Sequence, residues 1–321
     1  MKESKKDMTT VNYELIRRIR LHIDRIEKQA LLRLNQEKWL QLMSALDVLE
    51  DTSYAVEYYL ESDYPDDIKG KYLFTYGVLQ SLFVQQDAVN SIHYALFDTQ
   101  VDFHKDYPAA YQVREMRNEV VGHPTNRDRK CGGKEFIHLA QVSLKKTGFY
   151  YSKSASDAET GRGEIINVSV SQAIEDVSSI INSVLEIIVA ALDKEFQEYI
   201  DKHRERKMKE IFKELQYAKE KVLSNSPLAD LGYSITKEMV SRCEEELISR
   251  YGSIEATDSY KYLLNDIREL YDLIDNGLLI MPIEIWSLSE RYFTECLFSK
   301  LETLQMYAAE TDQYFETRSH N

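Results

Sequence analysis

The residues with the clearest chemical potential lie in one stretch, Arg114-Glu115-Met116-Arg117-Asn118-Glu119-Val120-Val121-Gly122-His123-Pro124-Thr125-Asn126-Arg127-Asp128-Arg129-Lys130. From Arg114 to Lys134 it holds six basic and three acidic residues, a net of +3 within a chain whose net charge is −14. The local sign is therefore opposite to that of the chain. Arginine, asparagine and histidine together suit phosphodiester chemistry. Arg117 can hold a phosphate with a planar, permanently charged fork. His123 titrates near neutrality and can give or take a proton. Gly122 followed by His123-Pro124 reads as a helix end, since glycine suits the C′ position and the residue before proline avoids the α region. A histidine just past a helix C-terminus sits at the negative end of the dipole, which favours imidazolium and protonation of a leaving alkoxide. The bland reading of the same residues is a histidine closing a helix and arginines in weak surface ion pairs.

Arg117-Asn118, four further residues and His123 resemble the Arg–polar–x(4)–His motif of HEPN-superfamily ribonucleases (higher eukaryotes and prokaryotes nucleotide-binding). The resemblance spans at most about residues 40–200. It implies a helical bundle with the motif near a helix end and, as activity, RNA cleavage without metal or other cofactor. In that chemistry the 2′-hydroxyl attacks its own phosphate and leaves cyclic-phosphate and 5′-hydroxyl ends. The resemblance also implies a homodimer with two motif copies in one composite site. Arg117 would bind the phosphorane, Asn118 would orient it or its partners, and His123 would act as general acid or base. Arg114, Arg127, Arg129 and Lys130 would bind RNA, and Gln85, Gln86 and Asp87 are candidates for lining the same cleft. Toxin or antiphage defence, with an antitoxin or another regulatory protein as restraint, is likewise an implication of the family. Two readings compete with the nuclease: a non-catalytic HEPN-like module that binds nucleotide or protein, and a helical scaffold. Arg17-x(4)-His22 also satisfies the bare spacing, but it lies within an amphipathic helix and reads as a solvated face.

Other chemistry is poorly provided for. Gly132-Gly133 and Gly161-Arg162-Gly163 lack the strand-to-helix setting of a phosphate loop. There is no HExxH and no Gly-x-Ser-x-Gly elbow. Asp102 and His104 are only two potential metal ligands, so no metal site is assigned. His93 reads as a packed residue, and Tyr150 and Tyr151 as packing residues that could in principle stack on bases. Lys202–Lys209 is a second, mixed-sign basic tract, read as a solvated helix face.

The elements around these residues read as mainly α. Only 11 Gly and 5 Pro in 321 residues argue against a loop-rich barrel or sandwich. Cys131, Cys243 and Cys296 are too few and too scattered for a disulfide scaffold or a cysteine zinc site. The charged start lacks an apolar segment of the signal-peptide kind, and no stretch approaches the roughly 20 apolar residues of a membrane span. The expectation is a cytoplasmic protein without membrane contact.

Apolar residues at spacings of three and four predict helices over Thr10–Leu60 and over Ile68–Asp98. Another is expected from Asp106-Tyr107-Pro108, with an acidic cap and an early proline, to Val121. Alternating segments at Phe136–Ser143, Phe149–Tyr151 and Glu164–Val170 predict a small two- or three-stranded antiparallel insertion at about 135–170. A long helix then runs from Ser171 to about Leu223, with a charged, stalk-like end beyond Tyr199. Ser224-Asn225-Ser226-Pro227 reads as the boundary between a HEPN-like helical domain, residues 1–226, and a helical C-terminal domain, residues 227–321.

Overall fold

The computed structural model describes residues 10–122, 124–125, 127–128, 134–155, 163–224, 227–280 and 283–318. The fold is mainly α with a small antiparallel sheet. The helices are α1 (Tyr13–Ile23), α2 (Ile26–Arg33), α3 (Gln36–Glu61), α4 (Ile68–Phe97), α5 (Phe103–Asp106), α6 (Pro108–Arg117), α7 (Val170–Arg204), α8 (Leu215–Leu223), α9 (Ala229–Tyr251), α10 (Asp258–Ile280) and α11 (Ile283–Thr317). The strands are β1 (Arg127–Asp128), β2 (Lys134–Leu139), β3 (Gly148–Ala155) and β4 (Glu164–Ser169), ordered β1-β2-β3-β4. No helix among the described residues is long and apolar enough to cross a membrane.

The chain forms two compact units, one of residues 1–21 and 35–191, the other of residues 22–34 and 192–321. In the first unit, α3 and α4 pack along each other. Asn35 caps α3 through the Lys38 amide, and Asp67 caps α4 through the Gly70 amide, each satisfying a donor that a helix start leaves open. Leu42, Leu46 and Leu49 of α3 are buried, as are Leu79, Leu82, Val89 and Ile92 of α4 and Ile174, Ile181 and Leu185 of α7.

The sheet follows the alternation in its sequence. Ile137, Phe149 and Tyr151 are buried on its inner face, while Phe136, Tyr150 and Ile165 are exposed. The pairings Leu139 with Tyr151 and Tyr151 with Ile166 set the register. At Gly148 the chains come so close that a Cβ would lie 2.1 Å from the Val168 carbonyl oxygen. Here the absence of a side chain is what lets β3 pair with β4.

Four expectations are corrected. The acidic cap of α6 is absent: Pro108 holds the first turn, and the capping position is Tyr107, which makes no side-chain cap. The helix expected over Ser171–Leu223 stops at Arg204 and resumes at Leu215, with a 3-10 turn at Met208–Phe212 between. Its charged end is no stalk. Ile200, His203, Met208 and Phe212 are buried, because that part of the chain belongs to the second unit. The division between units accordingly falls at 191/192 rather than 226/227. Met208, Phe212, Leu215 and Ala218 share one apolar cluster with Cys243, Leu264, Ile267 and Leu301.

The polar center of the second unit is Arg250, whose side chain is fully buried. Its Nε donates to Glu246 at 2.9 Å, and Nη2 lies 3.7 Å from Asp312. Asp312 in turn accepts from the Met208 and Lys209 amides at 2.8 and 3.0 Å, so one carboxylate balances a buried cation and starts the 3-10 turn. Gly252 ends α9 in the left-handed region at φ 74°, where glycine carries no steric penalty.

Candidate functional site

Arg117 is the last residue of α6 and Asn118 the first of a π-helical turn, Asn118–Gly122. Such turns widen the backbone and recur at functional sites. Arg117 points at α4. Its Nε donates to Gln80 Oε1 at 2.9 Å, Nη2 donates to the same oxygen, and Nη1 donates to Asn118 Oδ1 at 3.0 Å. The guanidinium carbon lies 4.2 Å from the center of the Phe83 ring. Arg114, one turn earlier, stands 4.0 Å from the same ring and binds Asp87 Oδ1 at 2.7 Å. Gln80, Phe83 and Asp87 are spaced i, i+3, i+7 along α4, so they form one face, and Arg114 and Arg117 are spaced i, i+3 along α6 to meet it. The ring holds two cations by cation–π attraction while the amide and the carboxylate fix their orientation.

Gly122 closes the turn beside this cluster. A Cβ there would stand 3.2 Å from Arg117 Nη1. Its φ is not positive, so the C′ glycine expected from sequence is instead a glycine that leaves room for a guanidinium.

The turn is tied to the sheet on its other side. Glu119 is buried, its Oε2 accepts from the Tyr151 hydroxyl at 2.6 Å and its Oε1 from Lys153 Nζ at 2.6 Å. Tyr151 and Lys153 are two apart on β3 and so share a face. Beyond the turn, the Ile137 amide donates to the Pro124 carbonyl at 2.8 Å. The segments on either side of His123 are thus both pinned to the β insertion.

His123, Arg129 and Lys130 lie outside the described residues, and of Arg127 only the backbone is described, as part of β1. The candidate cleft residues separate. Gln85 is fully buried and donates to Ser53 on α3, so it faces the helix pair and not the arginines. Asp87 meets Arg114 directly. Gln86, also fully buried, borders a cavity beside Arg114. Sequence reasoning missed Gln80 and Phe83. The signal was present in the matching spacings of the two helices, but it becomes legible only once α4 and α6 are known to pack.

Other sequence candidates have structural work. Asp102 caps α5 through the Lys105 amide, and His104 packs edge-on against Tyr111 at 4.7 Å. Among the described residues no group of three or more His, Cys, Asp or Glu side chains could hold a metal. His93 bonds to the Thr99 carbonyl, Arg17 forks onto Glu14, and His22 bonds to Asp193.

No family model, curated protein sequence or solved structure matches the chain.

Proposed function

We propose that the chain is an endoribonuclease that cleaves RNA without metal, by attack of the 2′-hydroxyl on the adjacent phosphate. The observation that carries this reading is the Arg117 fork, set on Phe83 at the end of α6 and oriented by Gln80 and Asn118. A guanidinium held at fixed orientation can stabilise charge developing on a phosphorane without reorganising in the reaction. Among the described residues each terminal nitrogen donates one bond, which leaves a second N–H on each to offer a ligand. Asn118 acts by orienting Arg117. His123, five residues on from Asn118, takes the 2′-hydroxyl proton or protonates the departing 5′-oxygen. The products are a 2′,3′-cyclic phosphate and a 5′-hydroxyl.

A second copy of the chain completes the composite site in this proposal. Arg114, Arg127, Arg129 and Lys130 supply local attraction to a backbone that the −14 net charge would otherwise repel. Restraint by an antitoxin-like or other protein partner, in a toxin or antiphage setting, belongs to the same proposal.

The test compares wild type with Arg117→Ala and His123→Ala on labelled single-stranded RNA and tRNA in excess EDTA. Wild type is expected to cleave with cyclic-phosphate ends, and each substitution to lower the rate by about 10²–10³-fold or more. Equal cleavage by all three proteins would move the activity away from this site. RNA binding without cleavage by wild type would favour the non-catalytic module.

A further inference from the structure

A cavity of about 740 Å³ lies within the second unit, walled by residues 24–27 at the start of α2, the end of α9, residues 256–260 leading into α10, and the last turns of α11. Its volume falls in the range of small-ligand sites. Four tyrosines, Tyr251, Tyr260, Tyr307 and Tyr314, contribute to the wall. Tyr260 and Tyr307 stand edge to face at 5.7 Å with ring planes 76° apart, so they form a corner rather than a stack. Tyr314 already holds a cation, for the Arg318 guanidinium carbon lies 4.4 Å from its ring center. Such rings attract ammonium and guanidinium groups to their negative faces.

The charges on the wall are unequal: Asp24, Glu27, Asp258 and Glu310 stand against Arg25 and Arg318. Both arginines are engaged. Arg318 sits on Tyr314, and Arg25 lies 3.7 Å from the center of the Phe196 ring with Nε 3.2 Å from Glu27 Oε1. Arg25 Nε and Nη1 are buried, so they cannot grip an anion in the cavity. The carboxylates are the groups left to offer. Asp24, Asp258 and Glu310 are exposed, and none makes a hydrogen bond or ion pair among the described residues. Glu27 is 7% exposed, and only its Oε1 is closed off; Oε2 keeps accessible surface and has no hydrogen-bond partner among the described residues. Unpaired carboxylates gathered around one space repel each other, and a bound cation reverses the sign of that interaction. Among the described residues no three such groups are close enough to hold a metal ion, so the negative charge is spread along the cavity.

We infer that this cavity binds a linear aliphatic polyamine. Its separated ammonium groups answer carboxylates carried by three elements, the start of α2, the start of α10 and the end of α11. The methylenes between those groups lie along the tyrosine rings, as the stems of long basic side chains lie on apolar surface. The excess of carboxylates and the buried Arg25 nitrogens disfavour a phosphate-bearing ligand. The site uses nothing from the arginine cluster of the first unit, so it stands or falls independently of the nuclease reading.

The experiment titrates the full chain with spermidine by calorimetry at low salt and follows thermal unfolding with and without it. Wild type is expected to bind about one spermidine per chain and to gain Tm in its presence. Asp258→Asn combined with Glu310→Gln should weaken binding at least tenfold, while the Tm of the free protein does not fall. Glu238→Gln combined with Glu269→Gln removes the same charge from exposed positions of this unit outside the cavity wall, and should leave the affinity within about twofold. Equal loss in both double variants would reveal diffuse attraction to a chain of net charge −14 and overturn the proposal. No binding by wild type, undiminished binding by Asp258→Asn/Glu310→Gln, or a fall in its Tm would also overturn it. So would choline or AMP binding as tightly as spermidine, since the first carries one charge and the second a phosphate.

Discussion

Arg117 has all three guanidinium nitrogens engaged before any substrate arrives, two on Gln80 and one on Asn118. Its orientation depends on space as well as on bonds, and Gly122 supplies that space. Gly122→Ala is compatible with the backbone, so Tm should stay within a few degrees of wild type. The methyl group must displace Nη1, and RNA cleavage should fall roughly tenfold, about 1.4 kcal/mol in the barrier. An unchanged rate in the same preparation would show that the position of Nη1 is immaterial. Cys243 lies at the opposite extreme of reactivity. Burial pushes its thiol up to about 12, with Glu244 adding to the shift. Because the thiolate is the nucleophile, alkylation at pH 8 followed by peptide mapping should leave Cys243 unmodified in the native protein and modify it in denaturant. The Arg117–Asn118 pairing was legible from residue type and spacing. Its partners Gln80 and Phe83 were not, because they are 37 and 34 residues away in the chain and only the packing of two helices selects them.

At the level of elements, the β insertion positions the turn that carries the motif. Glu119 anchors on Tyr151 and Lys153, and Pro124 on Ile137. Disturbing the sheet should therefore reach the arginines through that turn. Gly148→Ala tests this: its Cβ would meet the Val168 carbonyl at 2.1 Å, and backbone is the neighbour least able to move. The expected loss is about 1–3 kcal/mol of stability, with cleavage falling along with it; native stability by denaturant titration would refute the contact. Strands β2, β3 and β4 were legible from alternation, though β2 ends at Leu139 and β1 was not foreseen, and α3 and α4 were legible from their apolar spacing. The break in the helix after Arg204 was not. Lys202–Lys209 reads as a solvated face by composition, yet His203 and Met208 within it are buried. The charged side chains flank a buried strip only two residues wide, too narrow to register as periodicity.

For the whole molecule, the two units differ in how acid should affect them. The His203 ring is buried and lies beside Arg250 and Lys202, while Glu246 Oε1 stands 3.6 Å from Nδ1. Burial is the largest cause, with the Arg250 charge next, and together they push the imidazole down to about 4 from 6.5. The folded state thus resists a proton that the unfolded chain accepts. This contribution is complete above pH 6.5 and is lost as pH falls from 6.5 toward 4, on the order of a few kcal/mol. Hydrogen exchange of α9 amides should accelerate across that window, and His203→Asn should flatten the dependence. An identical slope in the variant would assign the acid sensitivity to other groups.

The division of the chain also dictates an order of events during synthesis. Residues 22–34 belong with the unit that begins at 192, where Lys28 meets Glu195, Arg25 covers Phe196, and α2 packs on α9. A ribosome must add 157 residues after Leu34 before reaching Leu192. At about 5–20 residues per second, that interval is roughly ten to thirty seconds. Throughout it α2 has no native surface to rest on, while residues 35–191, the arginine cluster included, are being added. The nascent chain thus presents the unit with the arginine cluster first, and it completes the other only when an early segment is recruited by helices made later.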